Sequence, residues 1–388
     1  MASTDEGDFI NAPLTAERMS MTEPPIEDLK IFPVDVRTLP GLRQFPWRDN
    51  TDGKVYDVLK GEEPVDSVHP FYVSDPGVVI ICPPEDEYQR ILTGRHWILF
   101  ATDESIRRVK DGDDPEQVRS EDEKINKIEN LRVGIAGLGT VGMNITATAV
   151  RVGFKKFSVA ELPDERVENH NLNRLLPATQ ADLGKRKIDV TRREVALINP
   201  YAEFNYFGGI DRESALAFVD SCDVVISSLD NPEAMWWLHY YAHEQGKPVL
   251  LISDTGSGST FDLYDYRDPE TKIFNGRVSE EDIREGHFDK IVFDVMRHHI
   301  LLRIPRDMLR FFLLKVSGNV DYLAQEAPSA LLTSTFAIDA LTRISTGEKM
   351  RKSSSVSSRR ALDTWIQSIK RVPMRIGIII EILREMKK

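Results

Sequence analysis

The chain has 388 residues, 41% hydrophobic and 29% charged, which is enough for two or three domains with an apolar core. Its net charge of −12 excludes the basic surface that nucleic-acid binding needs. Two cysteines, Cys82 and Cys222, exclude a disulfide framework and a four-cysteine zinc site.

Residues 1–28 are polar and carry Pro13, Pro24 and Pro25, which predicts a mobile arm. The opening stretch is acidic and lacks the basic start and apolar core of a signal peptide. Residues 29–102 predict a small accessory α+β domain, with strand-like runs over 77–81 and 97–100. Residues 103–130 are strongly charged and read as a solvated linker or helix.

From 131 to about 350 the pattern changes. Short apolar runs at 132–136, 157–160, 223–228 and 248–252 predict buried strands. Helical spacing separates them over 141–152, 185–198 and 236–245, and a further helix is expected over 330–344 with Gly347 beyond it. This alternation predicts a Rossmann-like, mostly parallel sheet with helices on both faces. Residues 351–388 are expected to be a serine-rich linker (352–358) and a basic helical tail with Leu362, Trp365, Ile366 and Ile369 on one face. The apolar stretch 376–383 is too short to span a bilayer. A cytoplasmic setting is the expectation.

Gly137, Gly139 and Gly142 form a G-x-G-x-x-G turn between the first strand and the first helix of this region. Glycine lets the backbone turn tightly and approach a ligand, and the helix start offers free amides to phosphate oxygens. Glu161, at the end of the second strand, is placed to accept hydrogen bonds from ribose hydroxyls. Taken alone, the turn also fits an NAD-dependent oxidoreductase.

Further residues bear on the choice: Asn171 and Arg174 in an N-L-N-R run, Lys187 thirteen residues on, the Ile198-Asn199-Pro200 helix end, and Asp230-Asn231 after the third strand. Together with the glycine turn, these residues resemble the ThiF/MoeB/HesA superfamily, which includes ubiquitin-activating enzymes. The resemblance runs from about 131 to 347. It implies an ATP-dependent adenylyltransferase that activates a peptide or ubiquitin-like C-terminus, acting as a homodimer. It assigns Asn171, Arg174 and Lys187 to the triphosphate and Asp230 to Mg2+. The chemistry agrees, because fixed cations and a metal stabilise charge on phosphoryl oxygens and departing pyrophosphate. Hydride transfer needs no such cluster. Each residue also has a plainer role available, with Asn171 as a turn residue and Asp230-Asn231-Pro232 as a helix cap.

The chain departs from the family at some points. Met235 stands where relatives often have an arginine. The family's arginine from near the start of the domain has only Arg107, Arg108 and Arg119 as candidates. A non-catalytic binding subunit is therefore a second reading. No cysteine follows Cys222, so thioester formation within the chain is not expected; Cys222 itself is expected in the core. His239 with His243, His298-His299, and Ser257 with Ser259 suggest neither a metal site nor a hydrolase. Asp254 begins a loop expected near the substrate entry.

Overall fold

The computed structural model describes residues 97–256 and 258–287 continuously. It also describes 32–33, 47–48, 55–56, 70–74, 78–81, 85–94, 290–291, 309–310, 313–314, 317–320, 325–357, 376–381 and 384. The arm at 1–28, Cys82, Ser257, His298-His299 and the apolar tail positions 362–369 lie outside the described residues. The chain divides into two compact units. One comprises 1–130, 150–156 and 192–206; the other comprises 131–149, 157–191 and 207–388.

In the first unit, β1 (Phe32–Pro33), β2 (Trp47–Arg48), β3 (Val55–Tyr56), β4 (Pro70–Ser74) and β5 (Val78–Ile81) precede the first helix, α1 (Glu85–Gly94). β1, β4 and β5 pair antiparallel in that order, and β2 pairs with β3. The strand expected over 97–100 is instead a single 3-10 turn, Trp97–Leu99. Only Trp97 of this run is buried, packed with Ala101, Val118 and Ile125, while Leu99 is 75% exposed. An apolar run with one buried side chain has no second face to pair, and Phe100 closes the turn by donating to the Trp97 carbonyl.

The charged stretch after it holds three short helices, α2 (Asp103–Lys110), α3 (Pro115–Ser120) and α4 (Glu123–Asn130). Thr102 and Asp114 cap the first two through their side chains, and Pro115 sits at the start of α3. Val118, Ile125 and Ile128 are buried, so the charges are the wet faces of amphipathic helices.

The main sheet has seven strands. In chain order the elements are β6 (Arg132–Ala136), α5 (Thr140–Arg151), β7 (Lys156–Ala160), α6 (Lys187–Ile198), β8 (Glu203–Phe207), α7 (Ser214–Asp220) and β9 (Val224–Ser227). They continue with α8 (Pro232–Glu244), β10 (Pro248–Thr255), β11 (Gly258–Asp265), α9 (Glu280–Arg284), α10 (Ala327–Thr346) and β12 (Ser353–Ser357). The strand order is β12-β11-β10-β9-β6-β7-β8. β6 pairs parallel with β9, and β9 with β10. β11 and β12 add antiparallel. This is the expected Rossmann-like α/β architecture.

Two features differ from the sequence reading. The serine-rich stretch expected as a linker contains β12, which pairs residue for residue with Gly258–Asp262 of β11. An edge strand needs backbone partners, which serine supplies as well as valine does. β8 and α7 had no clear signal: β8 is short and only Phe204 in it is buried, while α7 buries only Ala215, Phe218 and Val219. The strand order reverses between β6 and β9, and the crevice at the carboxyl ends of such strands is where ligands bind in open α/β sheets.

Candidate functional site

The glycine turn lies at that crevice, between the end of β6 and the start of α5. Gly137 has φ +91°, and a Cβ there would lie 3.0 Å from the Ser228 carbonyl. A Cβ on Gly142 would lie 1.8 Å from the Gly137 carbonyl, so no side chain fits where α5 folds back on the turn. Gly139 has nothing within 4 Å of its would-be Cβ, which leaves open space beside the backbone. Two glycines are therefore set by packing, and the third faces room for a ligand.

Ser228 ties the end of β9 to this turn. Its amide and hydroxyl both donate to the Ala136 carbonyl, and the hydroxyl also donates to that of Gly137. Asp230 follows two residues later and is exposed. Asn231 accepts from the Glu233 and Ala234 amides and caps α8, which satisfies the helix-cap reading without using Asp230.

Glu161, 9% exposed, accepts from the Leu138 amide at 2.6 Å and from the Leu162 amide at 2.9 Å. Burial pushes its carboxyl pKa up, and the two amides and Lys187 pull it back. The Lys187 side chain is 12% exposed, and its ammonium contacts Glu165 at 2.6 Å.

Arg174 reaches the first residue of α5, its Nε donating to Thr140 Oγ1 at 2.8 Å. Its Nη1 donates to the His170 carbonyl and to Asn173 Oδ1. Burial lowers the guanidinium pKa from its ordinary value, partly offset by the charge of Asp254. Asn171 is buried, and its side-chain oxygen accepts from the Glu168 amide at 3.0 Å. This bond ties the side-chain oxygen into the turn.

The turn thus has Glu161 bonded to it directly, Arg174 bonded to the helix that leaves it, Lys187 beside Glu161 and Glu165, and Asp230 just beyond Ser228. The sequence reading missed Asn144, whose amide donates to the Thr140 and Arg174 carbonyls and whose oxygen accepts from the Leu176 amide. An asparagine within a helix carries no motif that would reveal this. Gln325 was also missed.

Of the arginine candidates, Arg119 is 4% exposed and donates to Gln89 and Thr93, while Arg108 pairs with Asp113 and Glu121. Arg107 is exposed. Met235 is buried in the core. The Cys222 thiol is buried, donates to the Phe218 carbonyl at 3.0 Å, and burial pushes its pKa up to about 12. A thiol so held is not a nucleophile at neutral pH. His239 is wholly buried and bonded to Tyr266, and no group of three candidate metal ligands exists among the described residues.

The ThiF family model matches residues 116–296. The SUMO-activating enzyme subunit uba-2 of Caenorhabditis elegans is 25% identical over 141 residues, covering 36% of this chain and 23% of that protein. The tRNA threonylcarbamoyladenosine dehydratase of Haemophilus influenzae is 26% identical, covering 34% of this chain and 51% of that protein. The sulfur carrier protein adenylyltransferase of Thermus thermophilus is 26% identical, covering 32% and 46%. The chain thus spans about half the length of these relatives or less. Among solved structures, PaaA aligns with a TM-score of 0.47 at 16% identity, covering 74% of this chain and 84% of that one. Residues 116–296 are thus similar to the ThiF family.

Proposed function

We propose that the protein is an ATP-dependent adenylyltransferase acting on the C-terminal carboxylate of a peptide or small ubiquitin-like protein. The observation that carries this reading is the open side of the glycine turn at Gly139, with Arg174 bonded to the next residue, Thr140, and Glu161 bonded to Leu138. The names of relatives such as the sulfur carrier protein adenylyltransferase support it.

In the reaction, a carboxylate oxygen attacks the α-phosphorus of ATP. The new phosphorus–oxygen bond forms as the bond to the bridging oxygen breaks, and pyrophosphate leaves with the electron pair. The amides of the turn and of the α5 start hold phosphate oxygens. Glu161 keeps lone pairs for the ribose hydroxyls. Arg174 offers a planar fork and Lys187 a mobile point charge to the oxygens that gain charge. Lys187 exchanges Glu165 for phosphate when ATP binds, and Asn171 keeps the N-L-N-R turn in shape.

Asp230 suits Mg2+, because an exposed carboxylate at a strand's carboxyl end matches an ion that takes one or two carboxylates with phosphate oxygens and waters. When bound, the ion neutralises phosphate charge. The acyl group then passes to an external nucleophile, and Cys222, buried with its pKa pushed up to about 12, takes no part in that step. A cytoplasmic homodimer, with residues 29–102 as an accessory domain, completes the reading. One observation favours the second reading, a binding subunit without chemistry: the position where relatives often carry an arginine is a core methionine, Met235.

The test is ATP–pyrophosphate exchange with candidate peptides, alongside calorimetric ATP binding with Mg2+ and with NAD as competitor. Wild type is expected to exchange, and Asp230→Ala to lose about a hundredfold or more. ATP binding without exchange favours the binding subunit, and NAD binding without ATP binding overturns both.

A further inference from the structure

We propose that Gln325 and Asp254 are positioning residues which, through Thr140, hold Arg174 at the start of α5. What Arg174 then does rests on the adenylyltransferase reading; how it is held does not. Arg174 Nε donates to Thr140 Oγ1 at 2.8 Å, and that hydroxyl lies 3.1 Å from Gln325 Oε1, to which it donates. Gln325 Nε2 donates to Asp254 Oδ1 at 2.7 Å. Four separate parts of the chain meet in this line.

The direction of every bond follows from the chemistry of the ends. Arg174 can only donate, so the Thr140 oxygen accepts and its single proton must point elsewhere. Ionised Asp254 can only accept, so the Gln325 amide must turn its nitrogen toward it. That leaves the Gln325 oxygen facing Thr140, where it takes the hydroxyl proton. A flipped amide would set two oxygens against each other at Asp254. The carboxylate therefore fixes the amide, the amide fixes the hydroxyl, and the hydroxyl keeps a lone pair for Arg174.

Asp254 and Thr140 are 4% and 6% exposed, so water competes weakly and such a chain is mutually polarising. Gln325 is pinned through its backbone as well, by a bridge to Gly256 and by Asn173 Nδ2 donating to its carbonyl at 3.2 Å. Among the described residues Asp254 Oδ2 has no hydrogen-bond partner. Gln325 lies beyond residues 116–296, which the ThiF family model matches.

The experiment uses the full chain labelled with 15N. The Arg174 Nε–H resonance, assigned by its loss in Arg174→Lys, is expected to be protected from exchange in wild type. It is expected to lose protection in Gln325→Leu and Thr140→Val and to keep it in Thr140→Ser. Asp254→Asn leaves the amide free to flip and should give partial protection. MgATP affinity should fall about tenfold in Gln325→Leu and Thr140→Val and stay within about twofold in Thr140→Ser. A folded Gln325→Leu with full protection of Arg174 overturns the proposal, as does a Thr140→Ser that fails to rescue. If wild type does not bind ATP, the adenylyltransferase reading falls, and the resonance still decides the chain.

Discussion

Asp254 and His239 are withdrawn from water almost equally, at 4% and 0% exposed, yet the regions around them are built for different ends. His239 sits on α8 among aromatic rings, 4.5 Å from Phe274 and 4.9 Å edge-on to Tyr264. Its Nδ1 meets the Tyr266 hydroxyl at 2.8 Å, and burial pulls its pKa down to about 3, so the ring is neutral. It serves as part of a packed wall. Asp254 instead heads a polar chain that ends on a guanidinium, and burial pushes its pKa up to about 6. Burial alone does not separate a core from a site. What separates them is where the polar contacts lead: back into the packing in one case, and out to the glycine turn in the other.

The largest effect is expected in the aromatic wall. Phe274 is fully buried in the cluster around Trp236, Tyr264 and His239. Phe274→Ala should cost about 3–5 kcal/mol of stability in urea unfolding. A loss below about 1 kcal/mol would mean that this wall is not structural.

The two titratable groups should pull stability in opposite directions with pH. Asp254 has a folded pKa raised from 3.8 to about 6, so its contribution is fully present below about pH 4 and is lost as pH rises through 6. The difference is about 3 kcal/mol. His239 has a folded pKa depressed from 6.5 to about 3, so its contribution is present above about 6.5 and is lost as pH falls toward 3. Between pH 4 and 6, wild type should lose stability relative to Asp254→Asn and gain it relative to His239→Gln. Slopes of the same sign for the two variants would refute the contrast.

The finest test separates space for a ligand from space for packing. Gly139→Ala places a methyl group where the structure has room. It should change stability by less than about 1 kcal/mol and weaken MgATP binding about tenfold. Unchanged affinity would remove the ligand from the open side of the turn.

Much of the sheet was legible because its signals are local. The run Arg132–Ala136, the glycines after it and the Asn231–Pro232 cap each announce their backbone geometry through residue type. Trp97–Leu99 misled, since three adjacent apolar residues look alike whether one or all are buried. Glu203–Phe207 and Ser353–Ser357 were passed over because a strand can be held by its neighbours' backbone without an apolar signature of its own.

The amino-acid sequence alone carried the α/β class, the glycine turn and the candidate residues around it, because steric requirements at those positions admit few side chains. Only the tertiary structure decided which of those residues are held and by what. The Asn171 side-chain oxygen is bonded within its own turn, Lys187 rests on Glu165, and Arg174 depends on a glutamine and an aspartate 71 residues apart in the chain. Hydrogen bonds between distant segments leave no periodic trace, so their partners become visible only when folding brings the strand ends together.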